Sequence, residues 1–311
     1  MFAWPVLRPW ILWISAALFL MGLFTLFAVV LGWPPVPEDC VDTYCYCEYF
    51  DVRDVTAGAR GIRQPVNTWS NLYVFVTVPI IAFTLSRDRH RGDAANSMQS
   101  SGFWADLYVL VALFLGLGSM WLHASAAKHV AWMDGMSMYA FAGFLLFYTL
   151  DRIFVAHGAS RGVRGTILLL GYPLVVMFFT QIGARGVNSE ILVGLLVGLY
   201  GLLELLPRNL YFWQSNWRYW PMNFLGFRDG WAMTFWGIAG ASFLFAMTAR
   251  ALSAKPGDIW CSPHSAFQPH GLLWHSFSGV MALMLYFYWR RENRNQPPAP
   301  APAAPAAERW T

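Results

Sequence analysis

The sequence predicts an all-α, polytopic transmembrane helix bundle: a seven-helix core preceded by one extra N-terminal helix. Three observations predict it. First, only 12% of the 311 residues are charged and 57% are hydrophobic, against about 25% charged in a soluble domain. So few charges cannot solvate a globular surface, whereas a bilayer requires almost none. Second, apolar runs of about 20 residues, the length that crosses the hydrocarbon layer, recur along the chain. Third, no run alternates with period two, which argues against a β-barrel. The 17 Trp and 13 Tyr suit the aromatic belts of the two membrane interfaces. The formal charge of +4 is small, and Lys and Arg fall in short groups between apolar runs. A nucleic-acid partner, which needs a concentrated basic face, is therefore not expected.

Eight candidate spans follow in order: Trp10–Leu31, Thr68–Leu85, Phe103–Leu122, Met136–Val155, Gly165–Ile182, Ile191–Leu206, Trp231–Met247 and Leu272–Trp289. The first is longer than the roughly 7–15 apolar residues of a signal peptide, and no small-residue cleavage site follows it. It is read as a retained helix. Three regions result: an N-terminal helix and acidic loop over 1–65, a seven-span core over 66–291, and a Pro/Ala-rich tail over 292–311. The tail has nothing to bury and is expected to be disordered. The aromatic stretch Tyr211–Phe227 reads as an interfacial anchor.

One set of helix ends, holding Arg8, Arg87, Arg89, Arg91, Arg152, Arg161, Arg164 and the Arg groups near 208–228 and 290–309, carries twice the Lys and Arg of the other set. Positive charge marks the cytoplasmic side, so both termini are expected inside. The exception is the first outer loop, where Arg53, Arg60 and Arg63 are joined by Glu38, Asp39, Asp42, Glu48, Asp51 and Asp54. Cys40, Cys45, Cys47 and Cys261 all fall in loops on the outer side. Thiols confined to an oxidising compartment suggest disulfides. Four cysteines allow three pairings, and free thiols or a Cys45-x-Cys47 metal site are the alternatives.

Ionisable groups within membrane spans are costly and usually functional. The third span ends in Gly116-Leu-Gly-Ser119-Met-Trp-Leu-His123, and Asp134 stands just before the fourth span. The last span opens Pro269-His270-Gly-Leu-Leu-Trp-His275. Ser119 and His123, four apart, share a helix face. The predicted topology brings Ser119, His123, Asp134, His270 and His275 to one end of the bundle. Three neutral imidazoles and a water make a catalytic zinc site, in which zinc lowers the water pKa to about 7. A carboxylate at Asp134 can take the water proton, and a hydroxyl at Ser119 can hold the water or a developing oxyanion. Such a set suits hydrolysis of an amide or ester with its tail in lipid. His129 and His264 lie on the same side as spare candidates; His90 and His157 lie on the other. Asp106, Asp151 and Glu204 sit near inner ends and are read as interfacial charges.

At these residues the chain resembles the alkaline ceramidases, part of a membrane hydrolase superfamily that includes adiponectin receptors and Per1-type lipid-remodelling proteins. Three stretches carry the resemblance: Asn67-Thr-Trp-Ser-Asn71, similar to the family's N-T-x-S-N motif; Ser119, His123 and Asp134 in the family's Ser-x3-His-x10-Asp spacing; and Gln268-Pro-His270 through Trp274-His275 to Gly279. The resemblance implies zinc on His123, His270 and His275, with Ser119 and Asp134 at the zinc-bound water. It implies a ceramide-like lipid substrate cleaved to a sphingoid base and a fatty acid. It also favours a Cys47–Cys261 bridge.

Two departures stand out. The family's last motif is H-x3-H, with ligands about 40° apart on a regular helix, but a separation of five places His270 and His275 about 140° apart. An irregular first turn or a π-bulge reconciles them, and His264 is the alternative ligand. The family's acidic calcium cluster is reduced here to Glu48, with Gln64 where it has a Glu. Calcium needs about six to eight oxygens, so a family-like calcium site is not predicted, although Asp51 or Asp54 can substitute. The tail and the altered calcium shell point to a bacterial-type protein of the cytoplasmic membrane, with the site towards the outer face. The rival classes are a bis-His haem electron carrier and a non-catalytic receptor or scaffold. Oligomeric state is not legible.

Overall fold

The computed structural model describes residues 4–36, 47–49, 58–92, 96–100, 102–156, 159–205, 230–253 and 257–291. Cys40, Cys45, Asp51, Asp54, His157, the stretch Tyr211–Phe227 and the C-terminal tail lie outside them.

Eight helices make up the described chain, an all-α bundle without a strand beyond the isolated bridge Trp33–Ala59. α1 runs Trp4–Thr25 and continues as a π segment, Leu26–Leu31. α2 is built of Pro65–Trp69, a 3-10 turn Ser70–Tyr73 and Val74–Arg91. α3 is Phe103–Ser125 and α4 is Lys128–Ala156. α5 comprises Arg161–Thr166, a π turn Ile167–Gly171 and Tyr172–Ala184. α6 is Ser189–Leu205 and α7 is Gly230–Ser253. α8 opens with a π segment, His270–His275, and continues through Ser276–Arg290. Helices α1 to α5 and α7 are long and apolar enough to cross a membrane, which makes this an integral, multi-pass membrane protein.

α3 and α4 form the buried centre, whereas α1 and α5 turn most of their surface outward. Small residues set how closely α3 fits its neighbours. A Cβ on Gly116 would stand 2.3 Å from Val74 Cγ1 of α2, and one on Gly118 would stand 2.7 Å from Ser137 Cβ of α4. Membrane helices associate through such small-residue contacts, because lipid tails give no hydrophobic drive. The Gly116-Leu-Gly-Ser119 stretch thus draws three helices together beside Ser119. An aromatic layer of Tyr108, Phe144, Tyr148, Tyr286 and Trp289 fills the opposite half, with Tyr108 donating to Ala282 O at 2.6 Å.

Two expectations change. α4 begins at Lys128, not near Met136, so Asp134 lies inside the helix instead of ahead of it. The helix simply outruns its apolar stretch. Asp106, Asp151 and Glu204 are not interfacial charges but buried carboxylates in ion pairs. Arg8 and Arg89 hold Asp106, Arg164 holds Asp151 at 2.7 Å, and Arg152 holds Glu204. Arg290 holds the buried Asp88 by two bonds of 2.6 Å. Each pair joins two segments at the end of the bundle away from the histidines, where an unpaired charge would be costly. α1 is fastened there too, through Ser86 Oγ to Val6 O at 2.7 Å and Arg89 Nη1 to Pro5 O at 3.0 Å.

Candidate metal centre

His123 closes α3, and His270 and His275 open α8. All three are buried, and one ligand atom from each lies within 4.8 Å of the others. Their ring centroids are 5.3 to 5.6 Å apart. The local cause is the π segment. In π winding the hydrogen bonds run i to i+5, so residues five apart come to nearly the same face. The regular-helix divergence between His270 and His275 is removed, by one of the routes the spacing left open. Gly271 lets this segment lie against α2, since a Cβ there would meet Asn67 Oδ1 at 2.5 Å. His264 is placed elsewhere, its ring 4.6 Å from that of Tyr49. The side chain of His129 lies outside the described residues.

Two of the imidazoles are oriented from behind. Gln64 Oε1 lies 2.8 Å from His123 Nδ1, and Ser70 Oγ lies 2.7 Å from His275 Nδ1. Gln64 Oε1 can only accept, so His123 Nδ1 carries the proton and its Nε2 is left with a lone pair. Holding the far ring nitrogen is how proteins fix metal-binding imidazoles. Ser119 Oγ sits 3.2 Å from His275 Nε2 and also hydrogen-bonds Asp134, itself buried. Ser119 therefore links a histidine to a carboxylate.

The donor set fits a divalent metal. Three imidazole nitrogens converge, two of them with the opposite nitrogen engaged, and a carboxylate and a hydroxyl adjoin them. Three protein nitrogens are enough to hold such an ion.

The start of α2 is the scaffold behind the centre. Both carboxylate oxygens of Glu48 accept from backbone, Oε1 from Val66 N at 2.7 Å and Oε2 from Asn67 N at 2.8 Å. They satisfy two of the amides a helix start leaves open. Gln64 Nε2 donates to Glu48 O at 3.2 Å. Cys47, next to Glu48, is bonded to Cys261, with Cα atoms 5.5 Å apart, which excludes a Cys45-x-Cys47 metal site and free thiols at this pair. The loop is thus tied to the segment before α8, and through Gln64 to His123.

Burial pushes the Glu48 carboxyl above the usual range, an effect partly offset by the two amides. The folded state then holds this proton more tightly than the unfolded chain. That contribution to stability is full at acid pH and fades as pH rises through the raised value. Glu48→Ala is expected to cost about 1–2 kcal/mol, and the gap in melting temperature from wild type should be wider at acid than at neutral pH. An unchanged melting curve would remove Glu48 from this role.

Sequence reasoning did not foresee Ser70, Gln64 or Arg250 around the centre. Arg250, at the end of α7, is buried, donates from Nε to Glu190 Oε1 at 2.8 Å and lies 5.3 Å over the ring of Trp274, the neighbour of His275. Ser70 had a sequence signal through the Asn67-Thr-Trp-Ser-Asn71 motif, and Gln64 as the residue three before it; Arg250 had none. Comparison with protein-family models, curated proteins and solved structures finds no match to this chain.

Proposed function

We propose that the protein is a zinc-dependent membrane amidase of the alkaline-ceramidase type, hydrolysing the amide bond of ceramide-like lipids to a sphingoid base and a fatty acid. One observation carries the reading: three buried imidazoles share one focus with a Ser119–Asp134 pair, inside a bundle that lies in lipid. The motif spacing that resembles the ceramidases supports the substrate class. Nitrogen ligands and an oxygen-poor donor set favour zinc over calcium or magnesium.

When bound, zinc polarises a carbonyl and acidifies water. The rest falls to the chain. His123, His270 and His275 hold the ion, with Gln64 and Ser70 keeping two rings in register. Asp134 accepts a proton from the attacking water as the C–O bond forms. It returns that proton to the leaving nitrogen as the C–N bond breaks, so one water is consumed and an acid and an amine are released. Ser119, bonded to Asp134, keeps the carboxylate aimed. The third imidazole and this pair favour hydrolysis over a bis-His haem carrier, which would need neither.

The Cys47–Cys261 disulfide supports an orientation with the site end outside the reducing cytoplasm, in agreement with the distribution of Arg and Lys. The test is release of fatty acid from a ceramide in detergent micelles by the purified protein, with and without a zinc chelator. Release that stops on chelation and returns with added zinc supports the reading, and no release from any lipid amide or ester overturns it.

A further inference from the structure

His123 stands in the last turn of α3, close to its end at Ser125. Helix ends fray, and the last four carbonyls of a helix have no partner within it. A metal ligand placed there needs a hold from outside. Two consecutive residues supply most of it. Ala126 N donates to Leu122 O at 2.6 Å, Gln64 N to His123 O at 3.2 Å and Arg63 N to Ala124 O at 3.1 Å. Arg63 Nη1 donates to Ser125 O. All four closing carbonyls are thus taken, three of them by Arg63 and Gln64. Ala126, left-handed at φ 45°, ends the winding. The buried Arg63 guanidinium meets the negative end of the helix dipole.

The same arginine reaches the other way. Its Nη1 also donates to Pro34 O at 2.9 Å, in the segment that follows α1. The stretch just before Arg63 is fixed to that segment as well. Gly58 N donates to Trp33 O at 2.9 Å, Trp33 N to Ala59 O at 2.9 Å and Gly61 N to Ala28 O at 2.8 Å, while Trp33 Nε1 donates to Gly61 O at 2.7 Å. Gly32 permits this approach, since it is left-handed at φ 78° and a Cβ there would stand 2.2 Å from Gly58 O. The Trp33 ring lies 5.9 Å from that of Trp121 on α3. Arg63 therefore joins the end of α1 to the turn of α3 that carries His123. The charge pattern left Arg63 as an exception in the first loop; a grip on helix carbonyls accounts for it.

We infer that Arg63 is a positioning residue for His123: it holds the last turn of α3 where Gln64 can fix the imidazole, and its bond to Pro34 makes the end of α1 part of the metal centre. The N-terminal helix then serves the site as well as the membrane. The inference rests on the reading of His123 as a metal ligand, and its test does not depend on turnover.

Arg63→Met keeps an unbranched apolar stem and removes the guanidinium. Zinc affinity of the detergent-purified protein, measured by competition with a chromophoric chelator, should fall about tenfold, the lower end of what loss of support behind a metal-bound imidazole costs. The visible absorption of the cobalt(II)-loaded protein, which reads ligand geometry, should change with it. Arg63→Lys, a cationic donor on a shorter stem, should recover part of both. Ser86→Ala is the control, because it breaks a tie between α1 and α2 at the end away from the histidines. It should lower the melting temperature yet keep the zinc affinity and cobalt spectrum of wild type. Wild-type affinity and spectrum in Arg63→Met overturn the inference, as does an equal loss of affinity in Ser86→Ala. If Arg63→Met does not fold, Arg63→Gln, whose amide stops short of both carbonyls, is read in the same way. Zinc bound equally by wild type and variant removes the role of Arg63 and leaves the centre standing. No zinc in wild type removes the centre, and the role of Arg63 with it.

Discussion

Protein purified with Ala in place of His275 is expected to carry no stoichiometric metal and to hydrolyse no lipid. His275 is one of three converging imidazoles, and its Nδ1 is held by Ser70 at 2.7 Å. Two remaining nitrogens are one short of the three protein ligands of a catalytic zinc site. Loss of a group that only orients a ligand costs about 10- to 100-fold in metal affinity, so loss of the ligand itself should exceed that. Elemental analysis of wild type and variant, after identical zinc loading and desalting, reads this directly. About one zinc per chain in wild type and none in the variant is the expected pair of values. Equal zinc in both, or none in wild type, would dismantle the centre. Helical content by circular dichroism should be unaltered, because α8 is anchored along its length by Ser276–Arg290 and its contacts with α7 and α2.

Asp134→Asn should separate metal binding from chemistry. The carboxylate is not among the three converging ligands, and it is bonded to Ser119. An amide of the same shape can keep a hydrogen bond to Ser119 but cannot take a proton from water. Zinc content should therefore stay at the wild-type level while fatty-acid release falls by about 10²–10⁴-fold, the usual contribution of a positioned acid–base group, or about 3–5 kcal/mol in the barrier. Retained zinc with full activity would assign the proton transfer to another group. Retained zinc and no activity in wild type as well would leave a metal-bearing receptor or scaffold.

How much of this was legible in the sequence differs from element to element, for physical reasons. The helices were, because a span is a local property: about 20 apolar residues announce it without reference to the rest of the chain. His123, His270 and His275 were, because an imidazole inside an apolar run is expensive and the topology brings helix ends together. Even the π segment at His270–His275 was foreshadowed, since two ligands five apart demand either irregular winding or another partner. The end of an apolar run is a poor guide to the end of a helix, so Asp134 was read ahead of α4 although it sits within it. A carboxylate near a helix end looks the same whether it faces water or a distant guanidinium, which is why Asp106, Asp151 and Glu204 were read as interfacial. Gln64, Ser70 and Arg250 owe their places around the centre to neighbours far away in the chain, 205 positions in the case of Ser70 and His275. A local motif marks Ser70 and Gln64 but does not say which imidazole each one meets.

The wide winding at the mouth of α8 also bears on tolerance to length change. A π turn is an α-helix that has absorbed one surplus residue. Removing Leu272 or Leu273 should let ordinary winding resume and bring the two histidines to a spacing of four, again on a common face. Adding a residue there would ask for a still wider turn that helices do not make. The stretch should thus accept shortening by one and refuse lengthening by one, an asymmetry that zinc content of the two length variants would expose.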